Sequence, residues 1–146
     1  MQSCEWAIGQ LGLIPGLSLV AYSQWYVSAS IPAGQPPYIN GVARLDGTAE
    51  PRALLARLHE IEAGGGRQRS LPNASRTLDL DLIELDGLVS PGPALILPHP
   101  RAHLRGFVLL PIRDVAPDWV HPTLGETASA LAAHLPPQEI SLLALA

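Results

Sequence analysis

The 146-residue sequence contains no lysine, and all nine of its cationic side chains are arginines. Charged residues make up only 15% of the chain, and the formal net charge is −4. A weakly acidic chain has no bulk field that attracts polyanions, so a nucleic-acid-binding role is not expected. The missing lysines fit a GC-rich coding sequence as well as they fit a function, and they carry no mechanistic weight. Cysteine is also scarce. The single Cys4 excludes an internal disulfide, and a reducing compartment is the default expectation. The N-terminus has no basic segment, and its apolar stretch is broken by Gly12, Pro15 and Gly16. Neither a signal peptide nor a membrane span is expected, and a cytoplasmic location follows by default.

What is present suffices for a folded domain. Hydrophobic residues reach 47%, which excludes a disordered chain. The length suits one domain over residues 1–146, without internal repeats or linkers. The pattern predicts a helix over 2–11, stopped by Gly12. Strands are predicted over 17–27 and 38–45, separated by a proline-rich loop over 28–37. Leu54, Leu55, Leu58 and Ile61 form one stripe of a helix over 50–63, with Pro51 in its first turn. Gly64-Gly65-Gly66 is expected to end that helix and open a polar loop over 64–75. A strand over 77–85 leads into an Asp86-Gly87 turn and a short strand over 88–90. Residues 91–100 are irregular. Helices are expected over 107–115, disturbed by Pro111, and over 127–134.

The segment with most chemical content is Arg76-Thr77-Leu78-Asp79-Leu80-Asp81-Leu82-Ile83. Leucine alternates with aspartate at the period of a strand, where side chains two apart share a face. Leu78, Leu80 and Leu82 are expected to face a core. Asp79 and Asp81 then face outward, about 7 Å apart. Two close carboxylates repel unless a cation lies between them. Hard oxygen donors without paired Cys or His suit Mg²⁺ better than zinc. Arg67, Arg69, Arg76, Arg101 and Arg105 flank this segment. Carboxylates for a metal together with arginines suggest phosphoryl transfer from a nucleotide. The spacing alone leaves a solvated strand edge as the alternative.

The run Ser75-Arg76-Thr77-Leu78-Asp79-Leu80-Asp81 closely resembles the signature of the 6-hydroxymethyl-7,8-dihydropterin pyrophosphokinase family of folate biosynthesis. Further matches occur in order: Gln35-Pro36, Tyr38-Ile39-Asn40, Ile61-Glu62, Gly66-Arg67-Gln68-Arg69, Leu97-Pro98-His99-Pro100, Arg105-Gly106-Phe107 and Ala116-Pro117-Asp118. The resemblance implies an α+β fold, a ferredoxin-like α/β plait with helices packed on a mainly antiparallel sheet. The family's first strand, which ends in a Gly-Ser-Asn loop, has no counterpart in residues 1–16, so a plait missing that strand is expected.

The activity implied is transfer of pyrophosphate from ATP to the hydroxymethyl oxygen of the pterin, with AMP leaving. The partners implied are the pterin and ATP, with Mg²⁺ as cofactor and a monomer for the full-length protein. Asp79 and Asp81 match the family's magnesium aspartates. Arg67 and Arg76 match catalytic positions, Arg67 in a loop that closes over ATP. Arg69, His99 and Arg105 match residues that face the nucleotide. Ser28, Tyr38, Asn40 and Phe107 match the pterin site, where Asn40 offers donor and acceptor to the ring edge and Phe107 stacks. Two departures stand out. Asn73-Ala74 replaces an Arg-Trp of the catalytic loop, and Val27-Ser28-Ala29-Ser30 replaces Arg-Thr-Pro-Pro. A metal-dependent glycosyltransferase also uses Asp-x-Asp, but the chain is short for a nucleotide-sugar domain. A relative with little or no catalytic activity is the non-enzymatic alternative.

Overall fold

The computed structural model describes residues 2–28, 38–67, 78–93, 95–136, 138 and 140–142. Two strand pairs form one bent ribbon. β1 (Leu17–Tyr22) pairs with β4 (Ala43–Gly47), and β2 (Tyr26–Ser28) pairs with β3 (Tyr38–Asn40), both antiparallel. The sequence pattern predicts single strands over 17–27 and 38–45. The structure breaks both at the same level, and the cause is local. Ser23 N donates to Val42 O at 2.8 Å, but Val42 N donates to the Ser23 side chain, Oγ at 2.9 Å. A hydroxyl thus replaces one ladder carbonyl. Beside it, the Trp25 ring lies over Gly41, where a Cβ would come within 2.6 Å of the ring. No other residue fits that position without moving the indole.

β7 (Ile140–Leu142) adds to the free side of β2, giving the order β3-β2-β7. The tail after residue 136 carried no strand signal beyond three residues of ordinary composition, so β7 was not legible. β5 (Ser90–Pro91) and β6 (Ile96–Leu97) form a small separate ladder. All strand pairs among the described residues are antiparallel.

The helices cover this sheet framework. α1 (Gln2–Leu11) packs on α2 (Pro51–Arg67), and their buried residues Ala7, Leu11, Leu54, Leu58 and Ile61 join Ile14 and Leu78 in one core. α3 (Gly106–Val115) and α4 (Ala128–Ala133) build a second core around Ala102, Val108, Leu109, Ile112, Ala128 and Leu131. Thr127 caps α4 by accepting from Ala130 N at 3.2 Å. Pro111 sits within α3.

The triple glycine does not end α2. The helix continues through Gly64-Gly65-Gly66 to Arg67. Packing explains the departure from propensity. A Cβ on Gly65 would lie 2.8 Å from Leu78 Cδ2 and 3.2 Å from the Trp6 ring. Glycine lets α2 approach both the α1 indole and the start of the aspartate segment. Tertiary contact overrides a local cost of about 1 kcal/mol per glycine. No membrane-crossing helix occurs among the described residues.

Candidate active site

The aspartate segment is extended, with the predicted alternation of faces. Leu78 is buried, and Leu80 and Leu82 pack on the same core, while Asp79 and Asp81 are exposed. Ile83, of opposite parity, packs on the second core. The predicted strand over 77–85 differs in one respect: residues 78–84 form no ladder among the described residues. Their backbone uses other partners. Leu80 N donates to Glu62 Oε2 at 2.7 Å, and Ile83 O accepts from His99 N at 2.8 Å. The Asp86-Gly87 turn forms as expected, with positive φ at both residues and Leu88 N donating to Leu85 O at 2.8 Å. It leads into β5, which pairs with β6 and not with the aspartate segment.

The bond from His99 N to Ile83 O sets the residue after Pro98 beside the aspartates. Burial pushes the His99 imidazole below the ordinary histidine range; nearby Asp81 acts against this, and Arg105 and Arg101 act with it. His99 therefore lies within electrostatic reach of both Asp81 and Arg105. Arg105 also lies over the Phe107 ring, 5.5 Å from its centroid.

A second group lies across α3. Tyr26 Oη donates to Asp114 Oδ2 at 2.7 Å, so α3 covers the face of β2 that bears Tyr26 and Ser28. Tyr26 pairs with Asn40 and Ser28 with Tyr38, which places all four residues on that face. Asn40 Nδ2 donates to Ser28 Oγ at 3.2 Å. Phe107 occupies the first turn of α3 and is half-buried against the second core. Gln138 closes this end of α3, accepting from Gly106 N at 3.0 Å. Sequence reasoning missed Gln138 and the Tyr26–Asp114 pair, because contacts across 32 and 88 residues leave no local pattern.

Arg69 and Arg76 lie outside the described residues, as does the part of the expected loop over 64–75 beyond Arg67. Arg67 is the last residue of α2 and not part of a loop; only its backbone is described. Of the remaining histidines, His59 and His134 are exposed and His103 is half-buried. His121 is buried instead.

These observations fit a donor set for a hard cation and a phosphate-bearing ligand. Residues 1–117 match the family model of 7,8-dihydro-6-hydroxymethylpterin-pyrophosphokinase (HPPK). The chain belongs to the HPPK family. Among HPPK relatives, a 2-amino-4-hydroxy-6-hydroxymethyldihydropteridine pyrophosphokinase of Synechocystis is 39% identical over 127 residues, covering 87% of this chain and 65% of the relative. The enzyme of the same name from Pseudomonas aeruginosa is 43% identical over 106 residues, covering 72% of this chain and 65% of the relative. That from Methylorubrum extorquens is 34% identical over 137 residues, with 92% and 84% covered. The chain thus spans slightly under two thirds of the length of the first two relatives. HPPK membership also removes the support for a glycosyltransferase, which rested on Asp-x-Asp alone.

The half-buried imidazole of His99 and the buried one of His121 give a pH prediction. His99 Nδ1 accepts from Arg101 N at 3.1 Å, and His121 Nδ1 accepts from Leu124 N at 3.1 Å and Thr123 N at 3.2 Å. Both rings accept at Nδ1, so both carry their proton on Nε2 and are neutral. Burial, and for His121 also the neighbouring His103, depresses their pKa values in the folded state. The unfolded chain then takes up protons first. The stability they contribute is present above about pH 6.5 and is lost as pH falls through the depressed values. Thermal melts should show the midpoint dropping between pH 7 and pH 5. The double variant His99→Gln, His121→Gln should start lower and show a flatter slope. An equal slope in the two proteins would contradict the assignment.

Proposed function

We propose that this chain transfers a pyrophosphoryl group from ATP to 6-hydroxymethyl-7,8-dihydropterin, giving AMP and the pterin diphosphate in folate biosynthesis. The observation that carries this reading is the exposed Asp79–Asp81 pair, with Asp81 near His99 and His99 near Arg105, in a chain of the HPPK family. Names of relatives point the same way, since those just described are all pyrophosphokinases.

The donor chemistry fits magnesium. Among the described residues no group of three or more His, Cys, Asp or Glu forms a metal cage of its own. Magnesium characteristically uses one or two carboxylates and takes its other ligands from phosphate and water. Asp79 and Asp81 would hold it. When bound, it neutralises charge on the β- and γ-phosphates.

The chain's own groups then act by position and charge. Arg105 lies near His99 and offers a planar fork to phosphate oxygens. His99, neutral with its proton on Nε2, donates a hydrogen bond to the same anion. Arg67, Arg69 and Arg76 supply further positive charge from the end of α2 and the segment that follows it. Ser28, Tyr38 and Asn40 on one sheet face, and Phe107 at the start of α3, receive the pterin. Asn40 reads the ring edge with its amide, and Phe107 provides an apolar surface for stacking.

The ladder-less segment 78–84 and the outer edge of β1, which has no partner among the described residues, support a ferredoxin-like plait lacking one strand. A single domain, a monomeric state for the full-length protein and a cytoplasmic location complete the reading. Incubation with ATP, Mg²⁺ and the pterin, followed by mass spectrometry, tests it. A pterin carrying two added phosphoryl groups is expected; a monophosphate, or unchanged pterin with ATP consumed, would contradict it.

A further inference from the structure

Glu62 is the half-buried carboxylate on α2 that reaches the aspartate segment. Its Oε2 accepts from the backbone N–H of Leu80 at 2.7 Å. Leu80 stands between Asp79 and Asp81, so this bond holds the middle of the Asp-x-Asp unit. In an extended chain the N–H lies roughly at right angles to the side chains on either face. A partner there fixes the peptide plane without touching either aspartate. In an ordinary sheet a neighbouring strand's carbonyl does this. Among the described residues, 78–84 have no ladder, and a second backbone anchor is the bond from His99 N to Ile83 O. A carboxylate acceptor makes a shorter and stronger bond than a neutral carbonyl.

We propose that Glu62 is a positioning residue: its carboxylate stands in for a ladder carbonyl and fixes the Leu80 peptide, so that Asp79 and Asp81 present their carboxylates on one side. The proposal rests on the reading of that pair as magnesium carboxylates. Ile61, adjacent on α2, is buried in the first core and anchors the turn that carries Glu62. The close approach of Gly65 to Leu78 brings α2 against the same segment. Together these contacts make α2 the rigid support for the aspartates. Loss of such an outer support usually lowers metal affinity without abolishing it.

The test compares Glu62→Ala and Glu62→Gln with the parent protein. Gln keeps a carbonyl acceptor at the same reach and removes the charge. Amide hydrogen exchange at Leu80 reports the bond directly. It should quicken in E62A and stay near the parent rate in E62Q. Calorimetry of ATP with Mg²⁺ reports the function. E62A should weaken magnesium-dependent ATP affinity by about 10–100-fold, and E62Q by no more than a few-fold. If E62A does not fold, Glu62→Met, which fills the space without an acceptor, carries the same expectation. Unchanged Leu80 exchange in E62A would overturn the proposal. So would equal losses in E62A and E62Q, which would make Glu62 a metal ligand or a bare charge. Absence of magnesium-dependent ATP binding in the parent protein would overturn the reading of the aspartate pair itself, and it is seen before any variant is made.

Discussion

Asp79→Ala and Asp81→Ala are each expected to weaken magnesium-dependent ATP binding by at least about 100-fold, equivalent to about 2.8 kcal/mol. The reason is geometric. Both carboxylates are exposed on the side of the segment that turns away from Leu78, Leu80 and Leu82. Neither contributes to a core. In the proposed role, removing one leaves a single carboxylate where two would hold the magnesium. Folding stability should change by no more than about 0.5 kcal/mol, as for other exposed substitutions. Calorimetric titration with ATP, in the presence and absence of Mg²⁺, separates the two effects when paired with thermal melts. Unchanged affinity in both variants would remove the metal assignment.

The second large effect is expected at Arg67. Arg67→Ala should slow single-turnover transfer by about 10²–10³-fold while changing ATP affinity only a few-fold. An arginine that meets charge developing in the transition state contributes to rate more than to ground-state binding. Arg67 closes α2, a little more than one helical turn beyond Glu62, which contacts Leu80. The same helix therefore carries the arginine and touches the aspartate segment. Rapid-quench measurement of AMP formation with enzyme in excess gives the rate. Loss of ATP affinity with an unchanged single-turnover rate would show a binding role instead.

Most of the helices and the alternation of the aspartate segment were legible because one local period decides each. Of the stripe Leu54, Leu55, Leu58 and Ile61, all but the half-buried Leu55 are buried in the first core. Leu78 and Leu80 bury while Asp79 and Asp81 stay in solvent. What the sequence did not disclose depends on distant partners. The end of α2 was misplaced because Gly64-Gly65-Gly66 carries a helix-breaking propensity, whereas Trp6 and Leu78 reward close approach at Gly65. The break between β1 and β2 depends on a serine hydroxyl acting as a ladder acceptor for Val42. A seryl residue in a strand gives no warning of that role. The buried setting of His121 likewise follows from packing beside Trp119 and His103, their ring centroids each 5.8 Å away.

The candidate site shows the same division. Asp79, Asp81, His99 and Arg105 were identified by motif resemblance, and the structure puts His99 within electrostatic reach of Asp81 and of Arg105. Ser28 and Asn40 were identified separately and prove to be hydrogen-bonded partners across β2 and β3. Glu62 was visible within a matching motif, but its contact lies 18 residues away. No spacing rule links a helix carboxylate to a backbone amide at that separation.

The fate of the nucleotide tests the central claim most directly. With ATP, Mg²⁺ and 6-hydroxymethyl-7,8-dihydropterin, chromatography should show AMP forming in equal amount to the pterin consumed, with no AMP when the pterin or the metal is withheld. Pyrophosphoryl transfer leaves AMP; transfer of one phosphoryl group leaves ADP. ADP as the product, or AMP formed without pterin, would contradict the assignment.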